Sequence, residues 1–195
     1  MCDETWVFFQ PTRPKSDNKA SVAPCEKKPR VVRDSAMTTK KLLSVIFTAN
    51  RKFHVQATKK GEQIDSEYFI DFLRTCGNKW RALRSDPTHL KDLLLQFGNA
   101  QPHVSATTKT FLADRHVKTL WKSPYSPDLN LCDRWLFMWL KKSFKERTFN
   151  DADEVAEAAL QVLRSTPEST YQHQIQKLVD YCQMVIDNGG DYVTE

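Results

Sequence analysis

Three positions of this 195-residue sequence combine residue type and spacing in a way that could do chemistry. Asp3 flanks an apolar run, residues 6–9, with the composition of a strand. Asp133 stands where a proline-punctuated turn, residues 122–130, gives way to an aromatic helix. Between them the apolar run 93–97 has strand length and stops at Gly98-Asn99. Polar groups at strand ends and at a helix start, drawn from distant parts of a chain, are the usual layout of a site in an α/β domain. Carboxylates converging there suit two-metal phosphoryl transfer, in which hard cations roughly 3.5–4 Å apart neutralise the attacking and leaving oxygens. The layout asks for one acid on the first strand, a second at the end of the fourth and a third where a helix begins. Asp3 and Asp133 fill the first and third places. The second place holds Gly98, which has no side chain.

The elements that must position these groups follow from local pattern. Residues 41–47 and 52–58 are β-rich runs separated by Thr48-Ala-Asn-Arg51, the spacing and composition of a β-hairpin. With the first strand they make a three-stranded antiparallel start. His54, inside the second run, reads as structural. Asp65 or Ser66 can cap a helix whose apolar positions Tyr68, Phe69, Phe72, Leu73, Cys76 and Trp80 recur at three and four. After the run 93–97 come a helix over 105–114, a strand over 117–121, and a helix over 131–145. Asn150 or Asp151 caps a further helix, and Pro167 begins a last one that stops at Gly189-Gly190. Three antiparallel strands, then two strands joined through a helix, predict an α/β domain: a mixed sheet covered by helices, ribonuclease H-like in order.

Composition narrows the class without choosing a function. The length fits a single domain spanning residues 1–195, with a long basic loop over 11–39. A net charge of +5 and a pI near 8.9 are compatible with a nucleic-acid partner but do not require one. No apolar run reaches the roughly 18 residues that span a bilayer, so no membrane partner is expected. The five cysteines are scattered, with no Cys-x-x-Cys pair, and read as reduced thiols of an intracellular protein. Within the loop, Lys27, Lys28, Arg30 and Arg33 are candidate phosphate contacts. Lys141 and Lys142, on the helix that begins near Asp133, are two more. Their positions also suit the negative end of that helix's dipole.

Several segments add a resemblance. Cys2-Asp3-Glu4-Thr5-Trp6 resembles the Asp-Glu-Lys-Trp strand of mariner-type transposases, which carries that family's first acid. Gly98-Asn99-Ala100-Gln101-Pro102-His103 resembles its Asp-Asn-Ala-Arg-Pro-His segment, which carries the second. Ser123-Pro-Tyr-Ser-Pro-Asp-Leu129, followed by Asp133-Arg-Trp-Leu-Phe137, resembles its turn and third acid. The 34 residues between Gly98 and Asp133 are the spacing of the family's second and third acids.

The resemblance implies a ribonuclease H-like catalytic domain acting on DNA by cleavage and strand transfer. It further implies Asp3 and Asp133 as ligands of Mg²⁺ or Mn²⁺, a homodimer, and a nuclear location. Two departures accompany it. The family's N-terminal helix-turn-helix region is not represented, and Gly98 replaces a metal-binding acid. Losing a direct ligand costs more than the roughly 10–100-fold typical of losing a group behind one. The expectation is therefore a transposase-derived domain with impaired catalysis and weakened cation binding. The alternative is a non-catalytic module that binds DNA or a protein.

Overall fold

A computed structural model describes residues 1–10, 39–59, 61–83, 87–191 and 193. The first strand, β1 (Cys2–Phe8), pairs antiparallel with β2 (Lys40–Phe47), which pairs antiparallel with β3 (Phe53–Ala57). The β1–β2 register sets Asp3 opposite Val45 and Phe8 opposite Lys40. Asp3 therefore lies within the strand rather than beside it, as its neighbour pattern alone suggested.

The central strand β2 reads as a nearly continuous apolar run because both of its faces are covered. Leu43, Val45 and Phe47 enter one core with Leu136, Leu140 and Val155, while Ile46 enters another with Phe69, Phe72 and Leu95. This is the alternation of a pleated strand, each face finding its own helices. Helix α1 (Ser66–Arg81) supplies the second core with its aromatic stripe, and Asp65 is its cap, accepting from the Tyr68 N–H at 2.8 Å. The same alternation buries His54 against the Phe72 ring, with centroids 5.0 Å apart.

Strand β4 (Leu94–Gln96) follows a single 3₁₀ turn and pairs parallel with β5 (Lys118–Leu120). Between them lie the short helix α2 (Gln101–Val104) and α3 (Ala106–Asp114), the latter capped by Ser105. The mixed α/β architecture matches the expectation in class and order. Its five described strands, however, are hydrogen-bonded as an antiparallel trio and a parallel pair rather than one continuous ladder.

The helix expected over 131–145 is also divided. It opens as a π-helical turn, Cys132–Leu136, in which the Phe137 N–H reaches the Cys132 carbonyl, and continues as α4 (Phe137–Ser143). The extra residue in that turn changes which side chains face inward, a device common at functional sites. Helices α5 (Ala152–Ser165), capped by Asp151, and α6 (Glu168–Asp187) close the first core. Tyr171 of α6 fastens them: its ring meets Phe47, Phe53 and Trp135, and its hydroxyl donates to the Leu163 carbonyl at 2.9 Å. Since Trp135 belongs to the π-helical turn, this packing also holds the turn that carries Asp133.

Candidate active site

The fold brings Asp3, Gly98 and Asp133 to one place. All three line a cleft of about 460 Å³ together with Asn99, Lys122 and Tyr125. Asp3 is half-buried, and Asp133 is exposed at the first turn of its helix. A Cβ built on Gly98 would lie 3.4 Å from one Asp3 carboxylate oxygen and 3.6 Å from the other, so position 98 faces Asp3 directly. Gly98 is not among the residues with positive φ, so its backbone would accept an ordinary side chain.

The Asp3 carboxylate accepts the Glu4 N–H at 2.9 Å through Oδ1. Burial pushes its carboxyl up to about 6; the Glu4 N–H opposes that rise, while the charges of Glu4 and Asp133 add to it and His103 opposes it. A carboxylate so placed needs a counter-group. Asn130 supplies one. Its Nδ2 donates to Asp3 Oδ2 and, at 3.2 Å, to Asp133 Oδ2, while its Oδ1 accepts the Cys132 N–H at 3.1 Å. Sequence pattern gave no reason to select Asn130, which reads there as one more polar residue of a turn.

His103 is the other residue whose part was hidden. It is fully buried, with Nδ1 on the Gly98 carbonyl at 3.0 Å and Nε2 on Glu4 Oε1 at 3.1 Å. Both partners carry acceptor oxygens, so the form of the ring in which both nitrogens donate is the one its surroundings favour. Burial, the largest influence, pulls its pKa down. The Glu4 hydrogen bond and charge, the Gly98 carbonyl and Asp3 together outweigh burial and leave it raised. The pair ties β1 to the segment after β4, and so sets Gly98 against Asp3.

Other polar groups build the rim. Gln96 donates to the Leu129 carbonyl at 3.0 Å, joining β4 to the proline turn. Asn99 donates to the Lys122 carbonyl at 3.1 Å, so its amide is used by the loop. Asp128 accepts from the Tyr181 hydroxyl at 3.1 Å, a fastening for α6. Tyr125 sits at the tip of the turn, 96% exposed, with φ of 57°. On the far side of Asp133 a second cleft, of about 640 Å³, is lined by Thr5, Met138, Lys141, Lys142 and Lys145. Lys141 and Lys142 thus share a cleft with Asp133. Lys27, Lys28, Arg30 and Arg33 lie outside the described residues.

No family model matches the chain. Among curated proteins, human histone-lysine N-methyltransferase SETMAR is 25% identical over 192 residues, which are 98% of this chain and 28% of SETMAR. Among solved structures, the pre-cleavage Mos1 transpososome superposes with a TM-score of 0.79 at 21% identity, over 99% of this chain and 56% of that one. The catalytic domain of Mos1 transposase, solved with raltegravir and Mn, does so with a TM-score of 0.74 at 18% identity, over 99% of this chain and 84% of its own. Its fold is that of the mariner-type transposase catalytic domain. The chain spans about a quarter of SETMAR and a little over half of the transpososome's protein chain.

In that fold the donor set here does not suit a two-cation centre. Two carboxylates face the site, and the group between them is an amide N–H₂, which donates to acceptors and offers no lone pair to a cation. Among the described residues, no three His, Cys, Asp or Glu side chains are grouped to hold a metal ion.

Proposed function

We propose that this mariner transposase-derived domain binds DNA and that its metal-dependent cleavage and strand transfer are impaired by glycine at position 98. The observation that carries the reading is the direction of Gly98, whose missing side chain would have met Asp3 at 3.4 Å. Binding of Mg²⁺ or Mn²⁺ through Asp3 and Asp133 is correspondingly weakened. DNA as partner is supported by Lys141, Lys142 and Lys145 in the cleft beyond Asp133, where phosphates would displace counterions. The same reading carries a homodimeric assembly and a nuclear location.

A second reading, a module that binds DNA without cutting it, rests on the same lysines together with the amide-bridged carboxylates. Nicking of supercoiled DNA with Mn²⁺, run beside the Gly98→Asp protein, separates the two. Impaired catalysis predicts slow nicking by the native chain and nicking at least about tenfold faster by Gly98→Asp. A native chain that nicks as fast as Gly98→Asp overturns the role given to position 98. Two proteins that bind DNA and never nick it support the second reading.

A further inference from the structure

We propose that the Asn130 carboxamide is a built-in replacement for the cation, closing the Asp3–Asp133 pair by hydrogen bonds so that the site is ordered without metal. The inference deepens the proposed function and rests on its reading of the two acids as a former ligand pair.

The amide's orientation is settled by its own surroundings. Oxygen and nitrogen of an asparagine are told apart by their partners, and here one end meets a backbone N–H. Oδ1 accepts from Cys132 N two residues on, an Asx turn, so the nitrogen end must be the one turned towards the acids. That end carries two N–H groups, and two carboxylate oxygens receive them. Every polar atom of the side chain is therefore used. Asn130 is only 1% exposed, so its amide depends on these protein partners rather than on water.

The residue is also held from behind. Its N–H donates to the Pro127 carbonyl at 3.0 Å, and its carbonyl accepts the Arg134 N–H at 2.9 Å, fixing it between the proline turn and the π-helical turn. The count of groups matches as well. With Gly98 giving no third acid, two carboxylates face two N–H donors. Like charges brought together this way repel, and donors placed between them offset the repulsion as a cation would. A cation bridging Asp3 Oδ2 and Asp133 Oδ2 has to displace the amide from them. Turning the amide to present Oδ1 would aim its N–H₂ at the Cys132 N–H and leave donors facing donors.

The consequence is that Asn130, as well as Gly98, sets how poorly this chain holds a divalent cation. Calorimetric titration with MnCl₂ and thermal melting in EDTA and in MnCl₂ are to be run on the native, Asn130→Ala and Gly98→Asp proteins. Asn130→Ala is expected to melt below the native protein in EDTA, to recover in MnCl₂, and to bind Mn²⁺ about tenfold more tightly. Unchanged Mn²⁺ affinity in Asn130→Ala overturns the inference. If Gly98→Asp gains affinity while Asn130→Ala does not, the inference falls and the proposed function stands. If Asn130→Ala gains affinity while Gly98→Asp does not, the inference stands and the role given to position 98 falls. Should Asn130→Ala fail to fold, hydrogen exchange of the Asn130 side-chain amide in the native protein decides. Exchange much slower than that of the exposed asparagine side chains supports the bridge, and equal exchange overturns it.

Discussion

His103 and Glu4, 99 residues apart in the chain, meet through a 3.1 Å bond from Nε2 to Oε1. The histidine side chain is fully buried and that of Glu4 is 10% exposed. The bond holds β1 to the backbone of Gly98, since the other ring nitrogen is on the Gly98 carbonyl.

Removing one partner of such a pair leaves a buried charge uncompensated. Glu4→Ala is expected to destabilise the protein by about 3 kcal/mol, near the lower end of what broken buried pairs cost. Urea unfolding reads this as a lower midpoint with an unchanged slope. A change within about 0.5 kcal/mol, the range of ordinary surface substitutions, would show that the pair does not brace the site.

His54 gives the protein a pH dependence of opposite sign to that of His103. Burial, with Lys79 adding, holds the His54 ring down at about 4, so it is neutral in the folded state at pH 7. Unfolded, it takes a proton near its ordinary value of about 6.5. Its stability contribution is therefore complete above about pH 6.5, falls as pH drops towards 4, and levels off below. The loss amounts to about 3 kcal/mol. His103, with a raised pKa, instead contributes below about pH 6.5 and loses that contribution as pH rises through its folded value. In His54→Phe, which keeps a ring against Phe72, the decline between pH 6.5 and 4 should shrink by that amount; an unchanged decline refutes the assignment.

Lys141 and Lys142 offer a test of the DNA-facing cleft. If both contact phosphates, the Lys141→Gln/Lys142→Gln protein binds duplex DNA with a log–log salt slope shallower by about 1.8, roughly 0.9 for each lost contact. Both side chains are exposed, so the melting temperature should hardly move. A weakened affinity with an unchanged slope would mean that the lysines act other than through phosphate.

Much of the frame is legible in one dimension because its causes are local. The β2 alternation, the α1 stripe from Tyr68 to Trp80, and the Asp65 and Asp151 caps each depend on residues within a turn or two. The acids at positions 3 and 133 and the glycine at 98 are equally visible, since residue type, spacing and the flanking motifs mark them. Other features depend on contacts that no local period records. The π-helical turn that carries Asp133 looks like plain helix in sequence, and the packing of its Trp135 on Tyr171 joins separate helices. The Glu4–His103 bond needs β1 and α2 to be neighbours, and the separate hydrogen bonding of β4 and β5 is likewise a matter of how the layers meet.

Sequence alone thus marked the two acids and the glycine that meet at this site. Only tertiary structure decided what lies between the two acids. Asn130 bonds to an acid 127 residues away and to another three residues on, and the first of those distances closes only when the chain folds. The sheet, the proline turn and the π-helical turn must converge before a neutral amide can stand where two like charges would otherwise repel.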